Sequence, residues 1–141
     1  MIFDPILVVT GEPNSIFLEI LFKSYNKIKI KRPIILISSH ELLKLQMNKL
    51  NFKKHIKILE YKKIRKYKLD NNSINLINIQ YNPKKAFEKI SIRSNKFIRE
   101  SFNLAFKLIK KEKIKRFING PISKKNFLSS KYLGITEYIS K

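Results

Sequence analysis

The chain begins with an apolar run that ends in a turn, Ile6-Leu7-Val8-Val9-Thr10-Gly11-Glu12-Pro13. Four consecutive apolar residues followed by Gly and Pro are typical of a strand that is buried on both faces. Four further short strands are predicted along the chain, at residues 33–37, 56–59, 74–79 and 116–118. Buried strands of this type occur mainly in parallel sheets whose two faces are both covered.

Helices are predicted between several of these strands. The first covers residues 16–25 and is apolar on most sides, so we expect it to pack deep inside a larger body. The second follows a capping-box pattern in which Ser38 is the N-cap and Glu41 stands three residues later. The third spans residues 91–111 and has the clearest amphipathic period.

Strands that alternate with helices predict an α/β fold with a mostly parallel sheet and helices on both faces. Neither an internal repeat nor a linker divides the sequence, so residues 1–141 are interpreted as one α/β unit. A last helix is predicted to begin with Thr136 as its N-cap, and no stop signal follows before Lys141. We therefore expect this unit to be the incomplete, truncated part of a longer chain.

The composition is strongly basic, with 31 Lys plus Arg against 10 Asp plus Glu and a formal net charge of +21. Such a charge permits binding to nucleic acid or to an anionic surface. We expect no nucleic acid partner, because Lys greatly outnumbers Arg, the usual reader of base edges, and because the basic residues are spread along the chain. The densest run, residues 62–68, is interpreted as part of a solvated loop. A basic module that binds RNA or an acidic partner on an α/β scaffold stays the alternative.

The sequence also limits the compartment. It has no cysteine, which excludes a disulfide framework, a thiolate metal site and a cysteine nucleophile. It lacks an apolar run long enough to cross a bilayer, and residues 1–5 do not have the basic start of a signal peptide. The expectation is a soluble cytoplasmic protein with no membrane partner.

Ligands of open parallel sheets bind beyond the carboxyl ends of the strands, and two loops are predicted there. In the first, Gly11 permits a tight turn before Pro13, and Asn14 or Ser15 can cap the following helix. The carboxylate of Glu12 can contact either a ligand amine or a neighbouring loop. A simple capped turn accounts for this stretch without any ligand.

The second loop reads Asn119-Gly120-Pro121-Ile122-Ser123-Lys124-Lys125. Gly120 lets a ligand or another backbone approach closely, and Pro121 stiffens the exit from the strand. Ser123 can cap the next turn of the chain, and Lys124 can hold a phosphate near a helix N-terminus. A capped turn with a solvated lysine explains the same residues equally well.

Residues with a clear chemical signature are absent. Neither His40 nor His55 belongs to a group with the spacing of metal ligands, and both are interpreted as ordinary surface residues. The sequence contains no P-loop, dinucleotide-binding fingerprint, nucleophile elbow or zinc-protease motif. We therefore assign no catalytic residue and no metal ligand within this chain.

Three segments match motifs that occur in the same order in one enzyme family. Residues 10–19 read TGEPNSIFLE against TPGEPAGIGPE, residues 119–124 read NGPISK against TGPVxK, and residues 134–138 read GITEY against GHTEF. On these motifs the chain resembles the front part of the 4-hydroxythreonine-4-phosphate dehydrogenase family.

The resemblance implies a reaction. The family oxidises the secondary alcohol of 4-phosphooxy-L-threonine, a small phosphorylated amino acid, with NAD or NADP as the hydride acceptor. The resulting β-keto acid loses carbon dioxide, in the biosynthesis of pyridoxine and pyridoxal phosphate. A divalent metal (Zn, Mg or Co) polarises the substrate oxygens. The family resembles isocitrate and isopropylmalate dehydrogenases in fold, and it works as a homodimer, which we expect for the full-length form.

The resemblance also assigns roles to a few residues. The family's His and Thr in the third motif contact the substrate, and Thr136 keeps the hydroxyl while Ile135 stands at the position of the histidine. Ile135 can form no hydrogen bond, and the loss of such a contact costs about 1–3 kcal/mol of binding. An inactive paralogue is therefore a further alternative.

The rest of the site is expected to lie partly within this chain and partly beyond it. The loops that contain Gly11-Glu12-Pro13 and Gly120-Pro121 should line the pocket, with Lys124 as a substrate contact. The family's metal-binding histidines and its main nucleotide contacts lie beyond residue 141. The isolated chain is accordingly expected to be inactive.

Overall fold

The predicted strands form one sheet in a computed structural model that describes residues 2–128 and 135–140. All pairs are parallel and the strand order is β3-β4-β2-β1-β5. The strands are β1 (Ile6–Val9), β2 (Ile34–Ser38), β3 (Ile56–Ile58), β4 (Ile74–Asn78) and β5 (Arg116–Asn119).

The helices follow the strands in the expected order. The α-helices are α1 (Phe17–Lys27), α2 (His40–Lys49), α3 (Asn95–Glu112) and α4 (Ile135–Ser140). Short 3₁₀ helices cover Tyr61–Lys66 and Ile92–Ser94, and a π-helical turn covers Lys124–Leu128. None of the described helices is long and apolar enough to cross a membrane.

Successive side chains of the central strands point into two separate cores, because strand residues alternate between the faces of a sheet. Leu7 and Val9 of β1 belong to the core beneath α3. Val8 belongs to the core formed with α1 and α2. Burial on both faces explains why β1 and β2 appear in the sequence as continuous apolar runs.

The side on which each helix packs follows from the order of the strands. Parallel crossover connections are almost always right-handed. The chain moves from β1 through β2 to β3 in one direction, so α1 and α2 pack on one face. It returns to β4 and then to β5, which places the Tyr61–Lys66 helix and α3 on the other face. The predicted α/β class with helices on both faces is confirmed.

Several local predictions were wrong. Ser38 is the last residue of β2, and Ser39 is the N-cap of α2, with its side chain accepting a hydrogen bond from the Leu42 N–H. Helix α1 buries only one face, because Ile20 is 52% exposed. The predicted N-cap Thr136 lies inside α4.

The basic stretch at residues 62–68 is not simply a solvated loop. Most of it forms the Tyr61–Lys66 helix, and Ile64 within that helix is only 1% exposed. A single apolar side chain therefore anchors a highly charged segment to the core beneath α3. The prediction failed because one isoleucine among lysines produces no periodic pattern.

Candidate functional site

Two loops leave the carboxyl edge of the sheet side by side, because β1 and β5 are adjacent and parallel. The first loop (residues 10–16) follows β1, and the second loop (residues 120–128) follows β5. From β1 the chain goes on to β2 on one side, whereas β5 joins β1 from the other side. This is the topological switch point, where open α/β sheets form their ligand crevice.

The two loops touch through their glycines. A Cβ atom at Gly11, where φ is +71°, would lie 2.5 Å from the carbonyl oxygen of Pro121. A Cβ atom at Gly120 would lie 1.9 Å from the carbonyl oxygen of Thr10. The Gly120 N–H donates to the Val9 carbonyl at 2.8 Å. The space beside each glycine is thus occupied by another backbone. For Gly120 this was one of the two interpretations left open by the sequence.

Glu12 is a buried carboxylate between the loops and α3. Only 2% of the Glu12 surface is exposed. Its Oε2 accepts a hydrogen bond from the Asn14 N–H at 2.8 Å, and its Oε1 accepts one from the Ser94 hydroxyl at 3.2 Å. Burial raises the pKa of the Glu12 carboxyl above its ordinary value, while the hydrogen bonds from Asn14 and Ser94 act in the opposite direction. In the structure the carboxylate contacts neighbouring segments of the protein.

A third segment, which we call the strap (residues 79–94), lies against the first loop. The side-chain amide of Gln46 donates to the carbonyl oxygens of Pro13 at 2.8 Å and of Ala86 at 2.9 Å. The Glu88 N–H donates to the Asn14 side-chain oxygen at 2.9 Å. The strap and helix α2 therefore hold the first loop from the side opposite the second loop.

Sequence reasoning missed the roles of Gln46, Ser94 and the Asn14 side chain. For Gln46 a signal existed: it is a polar residue on a helix face otherwise formed by Leu42, Leu43 and Met47, and it is fully buried. A buried amide must find hydrogen-bond partners, and these are the carbonyl groups of two loops. Ser94 and Asn14 gave no comparable signal, because their partners are distant in the sequence.

The helix start in each loop follows from local hydrogen bonds. The Ser15 hydroxyl accepts from the Phe17 N–H at 3.2 Å at the start of α1. The Ser123 hydroxyl accepts from the Asn126 N–H at 2.9 Å, so the predicted cap at Ser123 is confirmed. Asn95, at the start of α3, donates from its side chain to the Asn126 carbonyl at 2.8 Å.

The predicted site residues differ in what they offer to a ligand. Buried within the protein are Gly11, Glu12, Pro13 and Gly120, whereas Pro121 and Lys124 are exposed. The side chains of Ile135 and Thr136 lie outside the described part of the structure. Among these predicted site residues, only Pro121 and Lys124 of the second loop are thus exposed in the described part of the structure.

The metal implied by the resemblance finds no ligand set in the described residues. His40 Nδ1 lies 3.9 Å from a Glu41 oxygen, and His55 Nδ1 lies 3.1 Å from the Ser73 hydroxyl. Within residues 2–128 and 135–140, no group of three or more His, Cys, Asp or Glu side chains is arranged to hold a metal ion. These residues do not fit a catalytic metal on their own.

Comparison by sequence gives no match to a family model or to a curated protein. Comparison by structure gives clear matches. A 4-hydroxythreonine-4-phosphate dehydrogenase from Burkholderia phymatum matches with a TM-score of 0.83 and 16% identity, over 99% of this chain and 43% of that chain. This chain has the fold of the matched part of that dehydrogenase.

Two further dehydrogenases of the same name show the same relationship. The protein from Salmonella typhimurium matches with a TM-score of 0.82 and 15% identity, over 97% of this chain and 43% of that chain. The protein from Klebsiella pneumoniae matches with a TM-score of 0.78 and 17% identity, over 95% of this chain and 42% of that chain. The resemblance inferred from three short motifs is thus confirmed at the level of the fold, and the chain spans less than half the length of these dehydrogenases.

Proposed function

We propose that this chain forms the substrate-facing part of an NAD(P)-dependent dehydrogenase that oxidises 4-phosphooxy-L-threonine. One observation carries the proposal. The first two motifs meet at the switch point of a sheet whose fold matches dehydrogenases of that name. Residues 1–141 then act as one incomplete α/β unit of a cytoplasmic homodimer in pyridoxal phosphate biosynthesis.

In the proposed reaction, the secondary alcohol loses a hydride to NAD(P)⁺ and a proton to a base. The β-keto acid that forms then loses carbon dioxide. In this chain Lys124 would hold the substrate phosphate, since its side chain is on an exposed loop beside the switch point. The hydroxyl of Thr136 would bind the substrate as the family's threonine does. The divalent metal and most nucleotide contacts would depend on residues outside this chain.

An inactive paralogue stays the rival within the same fold, because Ile135 replaces the family's histidine. The substitution Ile135→His in the natural gene product separates the two possibilities. If Ile135 is a tolerated change in an active enzyme, turnover is measurable before the substitution and changes little after it. Turnover that appears only after the substitution would favour the inactive paralogue.

The structure does not favour the binding module for RNA or an acidic partner. Exposed lysines occur on α1 and α2 over one face of the sheet, such as Lys23 and Lys44. They occur equally on α3 over the other face, such as Lys107 and Lys110. The positive charge of the described residues therefore lies on both faces of the sheet. A groove that binds the phosphate backbone of RNA would require this charge to be concentrated on one face.

The proposal is tested with the natural gene product that contains these residues, assayed for metal-dependent NAD(P)H formation with 4-phosphooxy-L-threonine. We expect turnover that a chelator abolishes, and none from residues 1–141 alone. Lys124→Gln should raise the KM for the substrate about tenfold, since it removes a charged hydrogen bond. Lys125→Gln, at the exposed neighbour, is the matched control.

Two results would overturn the proposal. One is the absence of turnover in the natural gene product with either nucleotide and with each of the three metals. The other is metal-dependent turnover by residues 1–141 alone, which would mean that the site lies within this chain after all.

A further inference from the structure

Glu12 connects three segments that are far apart in the sequence. Its carboxylate accepts hydrogen bonds from Asn14 within the first loop and from Ser94 immediately before α3. Its backbone N–H donates to the carbonyl oxygen of Pro121 in the second loop at 2.7 Å. A single residue therefore fixes where both loops lie relative to α3.

The connection continues beyond Glu12. Asn95 follows Ser94 in the chain and donates to the Asn126 carbonyl of the second loop. The start of α3 is thus bound to the first loop through Glu12 and to the second loop through Asn126. Because α3 packs along the core over its whole length, it offers both loops a rigid support.

The surroundings of Glu12 exclude a direct role as a ligand contact in the described structure. The residue is almost completely buried, and both carboxylate oxygens already accept hydrogen bonds from the protein. Lys124, in contrast, is exposed on the loop that Glu12 holds. Glu12 can therefore affect a ligand only indirectly, through the position of the second loop.

We propose that Glu12 is a positioning residue, which holds the second loop against the first so that Lys124 reaches the phosphate of the substrate. This inference rests on the proposed function for the identity of the substrate. The connection between the three segments does not depend on that identity. The two parts can therefore be tested separately.

Glutamine is the informative replacement at this position. Its side-chain oxygen can accept from the Asn14 N–H, and its amide nitrogen can donate to the Ser94 oxygen. The Ser94 hydroxyl can then donate elsewhere, because it also lies 3.3 Å from the Ser91 carbonyl oxygen. Glu12→Gln retains the shape and both side-chain hydrogen bonds and removes only the charge. Glu12→Ala removes the side-chain bonds to Asn14 and Ser94, so the remaining backbone bond to Pro121 is no longer tied to the start of α3.

The experiment uses the natural gene product and two readouts. Hydrogen exchange at the amides of residues 12 and 14 should become about tenfold or more faster in Glu12→Ala, since the acceptor for the Asn14 N–H is lost and the bond from residue 12 to Pro121 is loosened. The KM for 4-phosphooxy-L-threonine should rise by about tenfold, with kcat within about twofold and the KM for the nucleotide unchanged. Glu12→Gln should restore both quantities most of the way to wild type.

Ser39→Ala is the control for a loss of stability, because it removes the α2 cap and the hydrogen bond to the Tyr81 carbonyl without touching Glu12 or the second loop. It should leave the substrate KM unchanged. A rise in KM for Ser39→Ala as large as that for Glu12→Ala would show that general destabilisation is responsible, and would overturn the inference.

The remaining outcomes are also decisive. Unchanged exchange in Glu12→Ala would overturn the positioning role whatever the reaction is. A Glu12→Gln protein with slow kcat and normal exchange would overturn it in favour of a charged role in the chemistry. If the wild type shows no turnover while exchange responds as expected, the proposed function fails and the structural connection is supported.

Discussion

Gly11 and Gly120 show how single residues set the geometry of the carboxyl edge. At each of them a neighbouring backbone occupies the place where a side chain would begin. Gly11 also has a positive φ, which side chains rarely adopt. The two loops can therefore share one crevice only if both positions lack a Cβ atom.

Gly120→Ala is expected to destabilise the fold by about 3 kcal/mol, since the new methyl group would lie against backbone atoms that cannot rotate away. The atoms concerned are the Thr10 carbonyl oxygen and carbon, at 1.9 and 2.7 Å from the added Cβ. Urea unfolding monitored by circular dichroism measures the difference. Pro121→Ala, at the exposed next residue, is the control and should cost at most about 1 kcal/mol. Equal stability of the Gly120→Ala and wild-type proteins would contradict the close contact.

Asp4 lies at the opposite, amino edge of the sheet. Its carboxylate pairs with Arg32 at 2.9 Å and with Arg116 at 2.6 Å. The hydrogen bond from Arg32 holds the pKa of the Asp4 carboxyl below its ordinary value, and the charge of Arg116 acts in the same direction. In the unfolded chain the same group takes up a proton at higher pH.

This difference between the folded-state and unfolded-state pKa of Asp4 predicts how the stability of the fold changes with pH. The contribution of Asp4 to stability is present above its unfolded pKa of about 3.9 and is lost as the pH falls through the lower folded-state pKa. Asp4→Asn should therefore lower the urea midpoint at neutral pH and weaken its decline between about pH 5 and pH 2. Glu60→Gln removes an exposed carboxylate that, within residues 2–128 and 135–140, forms an ion pair with Lys63 alone. It is the control and should change the profile little, because an exposed pair contributes little to stability. An Asp4→Asn profile parallel to that of wild type would contradict the assignment.

At the level of elements, the start of α2 shows why the sequence left a choice between two serines. The capping-box spacing favoured Ser38 with Glu41. In the structure Ser38 pairs with Asn78 of β4, and its carbonyl accepts from the Ile79 N–H at 2.7 Å. Strand pairing with a segment far along the chain thus extends β2 by one residue and moves the cap to Ser39.

Ser39→Ala should cost about 1–2 kcal/mol, because the side chain caps α2 and also donates to the Tyr81 carbonyl at 3.0 Å. Ser38→Ala is a matched control, since the Ser38 hydroxyl is buried and has no hydrogen-bond partner among the residues that the structure describes. Removing that hydroxyl should be neutral or slightly stabilising. Chemical denaturation of the two variants distinguishes them. A larger loss for Ser38→Ala would restore the capping box predicted from the sequence.

The sequence was sufficient for features that depend on neighbouring residues. The five strands, the long helix α3 and the two edge loops follow from apolar runs, amphipathic period and Gly-Pro turns. It was insufficient for features that depend on distant partners. The contact between Gly11 and Pro121, the bond from Ser94 to Glu12, and the anchoring of Ile64 each join segments that carry no shared pattern.

At the level of the whole molecule, the excess of positive charge is distributed over both covered faces of the sheet. With 31 basic and 10 acidic residues, a lysine has on average more positive than negative charges around it. Folding brings these charges together, so the compact state is opposed by their mutual repulsion. Ion pairs within single helices, such as Lys23 with Glu19 and Lys96 with Glu100, are largely exposed and contribute little.

The melting temperature should therefore rise by several degrees as NaCl increases from about 0.02 to about 0.5 M, since the Debye length falls well below 10 Å over that range. Substituting glutamine at four exposed lysines, Lys62 and Lys66 of the Tyr61–Lys66 helix and Lys110 and Lys111 of α3, should raise the melting temperature at low salt and reduce its salt dependence. Differential scanning calorimetry measures both effects. A melting temperature that falls with salt would mean that attractive pairs outweigh the repulsion.

The central position of β1 also affects the order in which its two neighbouring strands pair with it during folding. Ile6 pairs with Ile34 nearby in sequence and with Arg116 far along the chain, and the longer loop costs more entropy to close. During synthesis, the first four strands can assemble before β5 has left the ribosome. Until then, the edge of β1 that pairs with β5 remains unpaired. Unpaired edges invite association with other chains. The crevice between the two loops can therefore form only after β5 has paired with β1.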